Sequence, residues 1–257
     1  MKLINFLKNA VQRYDDTHNF TCDICSCEVF DGERLCRACD LALPRVGEVF
    51  CPFCGRKVLE TGACLDCKQK PLKTKKARSV CVHEGEAARL MLRFKRGAKY
   101  LVRTLGALML PVLQAEFAES DALVFVPMTK KAEKKRGYNQ ARLLAEELSK
   151  HCGKPVLDCV AKVRETEAQK TLGRAAREEN LQGCFRVTDR SAVKGLSLLV
   201  VDDAMTTGST ASEIADVLLR AGAKEVNLLT FTSVQRKNPF GEASEQKRGK
   251  GKKMPTS

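Results

Sequence analysis

The sequence predicts an α/β domain with a central parallel sheet covered by helices, preceded by a small module held together by metal. Two observations predict it. Across residues 80–236 apolar strands alternate with amphipathic helices, as in sheets whose strands are joined by helical crossovers. Across residues 22–67, nine of the 13 cysteines punctuate a short, loop-rich stretch.

Taken in order, residues 1–21 predict an N-terminal amphipathic helix, because Leu3, Ile4, Leu7, Ala10 and Val11 recur at helical spacing. Lys2 and Lys8 interrupt its apolar stretch, which is too short for a signal peptide. No segment is long enough to span a membrane, and Pro111 breaks the longest apolar run. A cytoplasmic, reducing location follows as an expectation, and it favours metal over disulfides for paired cysteines.

The Cys module carries four CxxC knuckles. Ten residues separate the Cys22/Cys25 knuckle from Cys36/Cys39, and nine separate Cys51/Cys54 from Cys64/Cys67. Each knuckle places two thiolates on one tetrahedral ion, so one or two zinc sites, each of four cysteines, are expected. Sequential pairing is the simpler arrangement, but spacing leaves a crossed one open, and Cys27 is a spare thiol. With every apparent ligand a thiolate and no open position, the role is structural. Cys81, Cys152, Cys159 and Cys184 read as reduced packing residues.

Residues 68–79 (KQKPLKTKKARS) form a basic linker. From residue 80 the expected elements are a helix over Lys99–Ala118, a strand over Ala122–Val126, a Lys-rich loop, a helix over Asn139–Lys150, a strand over Val156–Val163, a helix over Leu172–Asn180, strands over Cys184–Val187 and Leu196–Val201, a helix over Ser209–Ala221 and a strand over Val226–Ser233. Residues 237–257, polar and charged, are expected to be disordered. The net charge of +14 attracts polyanions without choosing among them.

The chemistry concentrates in SLLVVDDAMTTGST, residues 197–210. A fully apolar strand ends in Asp202 and Asp203, where open α/β sheets bind ligands. Ala204 and Met205 follow, then Thr206, Thr207, Gly208, Ser209 and Thr210 open a helix. Free N–H groups, hydroxyls and the helix dipole there suit a phosphate dianion. Two carboxylates beside a phosphate site are awkward unless they do another job, such as accepting hydrogen bonds from sugar hydroxyls directly or through Mg²⁺. The combination fits one ligand carrying both a phosphate and a diol.

This segment resembles the phosphoribosyl pyrophosphate signature of type I phosphoribosyltransferases. The resemblance implies that fold, acids holding the ribose, and a loop holding the 5′-phosphate. It also implies that the loop after the first sheet strand, Met128, Thr129, Lys130 and Lys131 with Arg136, clamps pyrophosphate. Arg136-Gly137-Tyr138-Asn139-Gln140, together with Arg164, Thr166, Gln169, Leu172, Arg177, Asn180 and Phe185, carries a narrower likeness. With the Cys knuckles it resembles the ComF family, which joins a double zinc ribbon to a phosphoribosyltransferase domain. Phe94-Lys95 and Gly97 look like a further, shorter family feature. The resemblance implies a lid between Arg164 and Asn180, bound phosphoribosyl pyrophosphate with Mg²⁺, and a part in natural competence, the import of single-stranded DNA. No general base emerges: His18, His83 and His151 read as structural. A zinc ribbon and a basic linker fit contact with single-stranded DNA or DNA-uptake proteins only loosely, because aromatics are 5% of the chain and no stacking platform is apparent. Two functions follow: a transferase of unnamed acceptor, or a non-catalytic protein that binds phosphoribosyl pyrophosphate or single-stranded DNA.

Overall fold

The computed structural model describes residues 20–30, 32–164 and 181–235. The expected N-terminal helix, the Leu172–Asn180 helix and the basic tail lie outside the described residues.

The continuous apolar runs form the sheet. Its strands are β1 (Ala77–Val82), β2 (Ala122–Phe125), β3 (Val156–Leu157), β6 (Ser197–Met205) and β7 (Glu225–Ser233), all parallel, in the order β1-β7-β6-β2-β3. The expected strand over Val156–Val163 is instead two. Its second half, β4 (Val160–Lys162), leaves the main sheet and pairs antiparallel with β5 (Phe185–Val187). The helices are α1 (Arg37–Leu41) and α2 (Leu65–Gln69) in the Cys module, then α3 (Gly85–Lys95), α4 (Val102–Phe117), α5 (Lys130–Arg136), α6 (Gln140–Cys152) and α7 (Ser209–Arg220). The stretch expected as a Lys-rich loop is therefore largely a short helix, α5, capped by the Thr129 hydroxyl, which accepts from the Ala132 N–H. Besides the two short helices of the Cys module, two elements of the main domain were not expected. β1 begins inside the presumed basic linker, and α3 was not anticipated.

Side chains alternate across β6, so both faces are buried. Leu199 and Val201 face one core with Leu90, Phe94, Leu105, Leu144 and Phe231, under α3, α4 and α6. Leu198 and Val200 face the other with Val124, Ile214, Leu218 and Leu228, under α7. Cys51, Cys54 and Cys67 belong to that second core. The Cys module thus completes one layer of the domain. The segment between its two halves also covers the sheet edge: Val46 N–H donates to Val80 O and Val82 N–H to Pro44 O. Cys81, Cys159 and Cys184 are buried packing residues, as expected, and burial pushes the first two thiols up to about 12 and about 11.

Helices α4 and α6 meet closely at Gly106, where a Cβ would lie 2.7 Å from Glu147 Cγ. Glu147 is itself buried and paired with Lys150 at 2.7 Å, so it has little room to give. Gly106→Val should cost about 1–3 kcal/mol by overpacking. Urea unfolding checks this; an unchanged midpoint would mean that the helices separate freely.

Candidate functional site

Strand β2 changes into the site before β6 does. β2 ends at Phe125, paired with Val201, and the last link between the two is Val126 N–H to Val201 O at 3.1 Å. β6 continues for four more residues, Asp202 to Met205, still paired on its other side with β7 as far as Ser233. The expected strand over Leu196–Val201 is thus longer than expected, and both acids stand on the strand itself, overhanging its neighbour. From β2 the chain proceeds outward to β3, and from β6 it proceeds the other way to β7. The overhang therefore lies at the switch point of the sheet, where open α/β folds form their ligand crevice.

The loop after Met205 turns through Thr206 and Thr207 into Gly208, whose φ of 81° is left-handed and favours glycine. Gly208 is the N-cap of the 12-residue helix α7 and itself supplies no capping side chain. Thr207 and Ser209 hydroxyls lie 2.8 Å apart, and Ser209 N–H donates to Thr207 Oγ1 at 3.3 Å. Backbone donors, hydroxyls and a helix dipole converge as an anion requires.

The acids are electrostatically unequal. Burial and the neighbouring Asp203 charge push the Asp202 carboxyl up to about 8, although it accepts from Asp203 N–H at 2.8 Å. Asp203 has a cation instead, Lys95 Nζ at 3.2 Å from the end of α3. His83, just past β1, shares this corner. Its Nδ1 lies 3.0 Å from Thr232 Oγ1, and burial with the Lys95 charge holds the imidazole below its ordinary 6.5. It is therefore neutral at pH 7. Lys95 and His83 are site residues that the sequence reading placed outside the chemistry. The short Phe94-Lys95 motif was the one available signal, and nothing in the local sequence pointed to His83.

The Arg136–Gln140 motif turns out to position other parts. Asn139 caps α6 by accepting from Arg142 N–H at 3.2 Å, and its amide donates to Val126 O at 3.0 Å, which fixes the chain leaving β2. The Tyr138 hydroxyl donates to Phe94 O and accepts from Gly97 N–H at 3.2 Å, which ties the α3 end bearing Lys95 to the same turn. Gln140 accepts from Arg136 at 2.9 Å. Asn139 and Gln140 are buried and act as scaffold. Lys130 and Lys131 start α5, directly after Met128 and Thr129. Arg164 donates to Gln182 O at 3.0 Å, linking the two sides of residues 165–180; Gln169 and Arg177 lie outside the described residues.

The cysteines form two sequential clusters, Cys22/Cys25/Cys36/Cys39 and Cys51/Cys54/Cys64/Cys67, each with its sulfurs within 4.8 Å of one another. The crossed pairing is excluded. A tetrahedron with metal–sulfur bonds of about 2.3 Å has edges of about 3.8 Å. The Cys25–Cys36 and Cys54–Cys64 sulfurs lie 3.7 and 3.6 Å apart. Backbone N–H groups of Ile24, Cys39 and Cys64 point at ligand sulfurs. Both sets fit structural zinc. Cys27 belongs to neither.

Comparison with known proteins gives the same reading. A family model described as "Phosphoribosyl transferase domain" matches residues 134–247. The fold and the match together define a protein with a type I phosphoribosyltransferase domain. The DNA utilization protein YhgH of Escherichia coli K12 is 32% identical over 76% of this chain and 88% of the relative. Competence protein F of Haemophilus influenzae is 30% identical over 82% of this chain and 95% of the relative, and competence protein ComFC of Bacillus subtilis is 27% identical over 79% and 85%. The chain belongs to the ComF family. Among the described residues no helix is long and apolar enough to cross a membrane.

The folded Asp202 carboxyl keeps its proton up to about pH 8, whereas an unfolded one releases it at about 3.9. The folded state therefore loses stability as pH rises through that window. Asp202→Asn removes the loss. Its Tm should exceed that of the unsubstituted chain by several degrees at pH 8, at about 2–4 °C per kcal/mol, with the gain vanishing toward pH 4. Calorimetry showing the same offset at both pH values would count against the buried-acid account.

Proposed function

We propose that this ComF-family chain is a phosphoribosyltransferase that binds phosphoribosyl pyrophosphate with Mg²⁺ and acts in DNA uptake. The observation that supports it most is the placement of Asp202 and Asp203 on the β6 overhang beside the start of α7. In this reading the 5′-phosphate sits on the N–H groups and hydroxyls of Thr206–Thr210, and the acids take the ribose hydroxyls, with Mg²⁺ offsetting their charge. Lys130, Lys131 and Arg136 take the pyrophosphate.

The reaction breaks the bond between the anomeric carbon and pyrophosphate. The electron pair leaves with pyrophosphate, an acceptor lone pair forms the new bond, and the acceptor sheds a proton. The protein's part is to hold the groups in place and neutralise charge. Zinc in the two Cys clusters is structural, and the use of eight cysteines as metal ligands fits a reducing, cytoplasmic setting.

A second reading rests on an observation that the sequence did not offer. Phe20, Phe30 and Phe53 of the Cys module are exposed by 57%, 64% and 44%, and they provide apolar surface for unpaired bases. A binding protein without turnover would use the same ribose phosphate site and this surface.

Pyrophosphate release from phosphoribosyl pyrophosphate, Mg²⁺ and a panel of bases and amines separates the two. We expect release with at least one acceptor. Tight binding without release from any acceptor would sink the transferase and favour the binding protein. Replacing Asp202 and Asp203 together by Ala should weaken ligand binding by about 30-fold or more, since a charged hydrogen-bonding group such as Asp203 contributes about 1.5–3 kcal/mol and a protonated one such as Asp202 about 0.5–1.5 kcal/mol. Unchanged affinity would place the ribose elsewhere.

A further inference from the structure

The second Cys cluster shares a core with the residues that flank the phosphate loop. Cys51, Cys54 and Cys67 pack in one core with Met205, Ala211 and Ile214, the residues on either side of that loop. Arg56, two residues past Cys54, is 6% exposed. Its guanidinium pairs at 2.9 Å with Asp66, which lies between Cys64 and Cys67 and is 7% exposed. The ion pair thus joins the two knuckles that bind one metal. The other amino group of Arg56 donates to the Thr206 carbonyl, the first residue of the phosphate loop.

Further contacts press the same module on the same place. Leu72, five residues past Cys67, fills the space under Gly208, where a Cβ would come within 2.6 Å of it. Lys73 N–H donates to Ser212 Oγ at 3.2 Å, and Lys73 Nζ pairs with Asp216 at 2.8 Å, both on α7. Gly55, with φ of 67°, lies so close to β1 that a Cβ would be 2.4 Å from Ala77 O. The first cluster is docked elsewhere. Asp23, between Cys22 and Cys25, accepts from Arg93 on α3 and Thr104 on α4.

We propose that Arg56 is a positioning residue for the phosphate loop, and that through it the metal of Cys51, Cys54, Cys64 and Cys67 and the bound phosphoribosyl ligand stabilise each other. A buried guanidinium needs both its acid and its carbonyl. The metal holds Asp66 and Arg56 in register, and Arg56 holds Thr206 so that the following N–H groups face the phosphate. Loss of this ion frees Arg56 and the loop together. Binding linkage is reciprocal, so the ligand must retain the ion by the factor with which the ion improves the ligand's affinity. Among the described residues the first cluster makes no such contact with the loop, and it lacks this coupling. The inference rests on the reading that this loop holds the 5′-phosphate.

The test uses the full zinc-loaded chain, with phosphoribosyl pyrophosphate and Mg²⁺ as the probe. Zinc release to a chromogenic chelator is followed with and without the probe, and probe affinity is measured by calorimetry. Release should be biphasic, one phase per cluster. The probe should slow one phase by about tenfold or more and leave the other unchanged; Cys36→Ser, which damages the first cluster, should remove the unchanged phase. Arg56→Ala should weaken the probe by about 10- to 100-fold and abolish the protection. Arg56→Lys, with one point charge in place of the fork, should fall between. Should Arg56→Ala not fold, Arg56→Lys and the release experiment on the unsubstituted chain still decide. Equal slowing of both phases would indicate general stabilisation and overturn the proposal. Probe binding with neither phase slowed would overturn it while leaving the phosphoribosyl reading intact. A probe that fails to bind the unsubstituted chain would overturn both.

Discussion

Four residues of β6 run past the end of β2, and most of the site depends on that overhang. β7 supports them on one side through pairing that reaches Ser233, while the other side lacks a strand. The backbone there is rigid yet open to a ligand. Two adjacent carboxylates are consequently held at a fixed height above the start of α7, and Gly208 brings that start close. A shorter β6 would have left the acids on a loop, and a longer β2 would have covered them.

The overhang also explains the electrostatics of the site. The chain carries +14, but the two acids face each other's charge before they face any cation. Lys95 compensates Asp203, and Asp202 is left with burial and a like charge. Such an arrangement costs the apo protein stability, as functional sites commonly do. A ligand that brings hydroxyl donors and a divalent cation relieves that cost, which makes the acids a place of ligand-linked stabilisation. The scaffold around them is correspondingly firm. Tyr138 and Asn139 hold the turns that deliver Lys95 and the chain after β2, and the second Cys cluster backs the phosphate loop.

How legible this was in the sequence depended on how local each cause is. The parallel sheet was readable because LLVV and its counterparts are uniform apolar runs, and the clusters because CxxC spacing is short-range. The acids and the loop that follows them were readable because strand, acids and helix start are contiguous. β1 was missed because Ala77–Ser79 follows a run of lysines, so its composition looked like a linker. Its place is set by β7, 151 residues away, through pairs such as Ser79 with Thr230. β6 was read too short because aspartates are poor strand formers and only pairing with β7 keeps them extended. Asn139 and Gln140 belong to the motif yet are buried, since a motif reveals that residues matter and not where they point. His83, Lys95 and Arg56 reach the site only through tertiary contacts, and no short window contains those.

The most direct measurement is a crystal structure of the zinc-loaded chain with phosphoribosyl pyrophosphate and Mg²⁺. The account predicts the 5′-phosphate on the backbone N–H groups of Thr206–Thr210, the ribose hydroxyls on Asp202 and Asp203, and Arg56 still donating to Thr206. A ligand whose phosphate lies off the α7 start, or whose ribose leaves both acids unengaged, would contradict it.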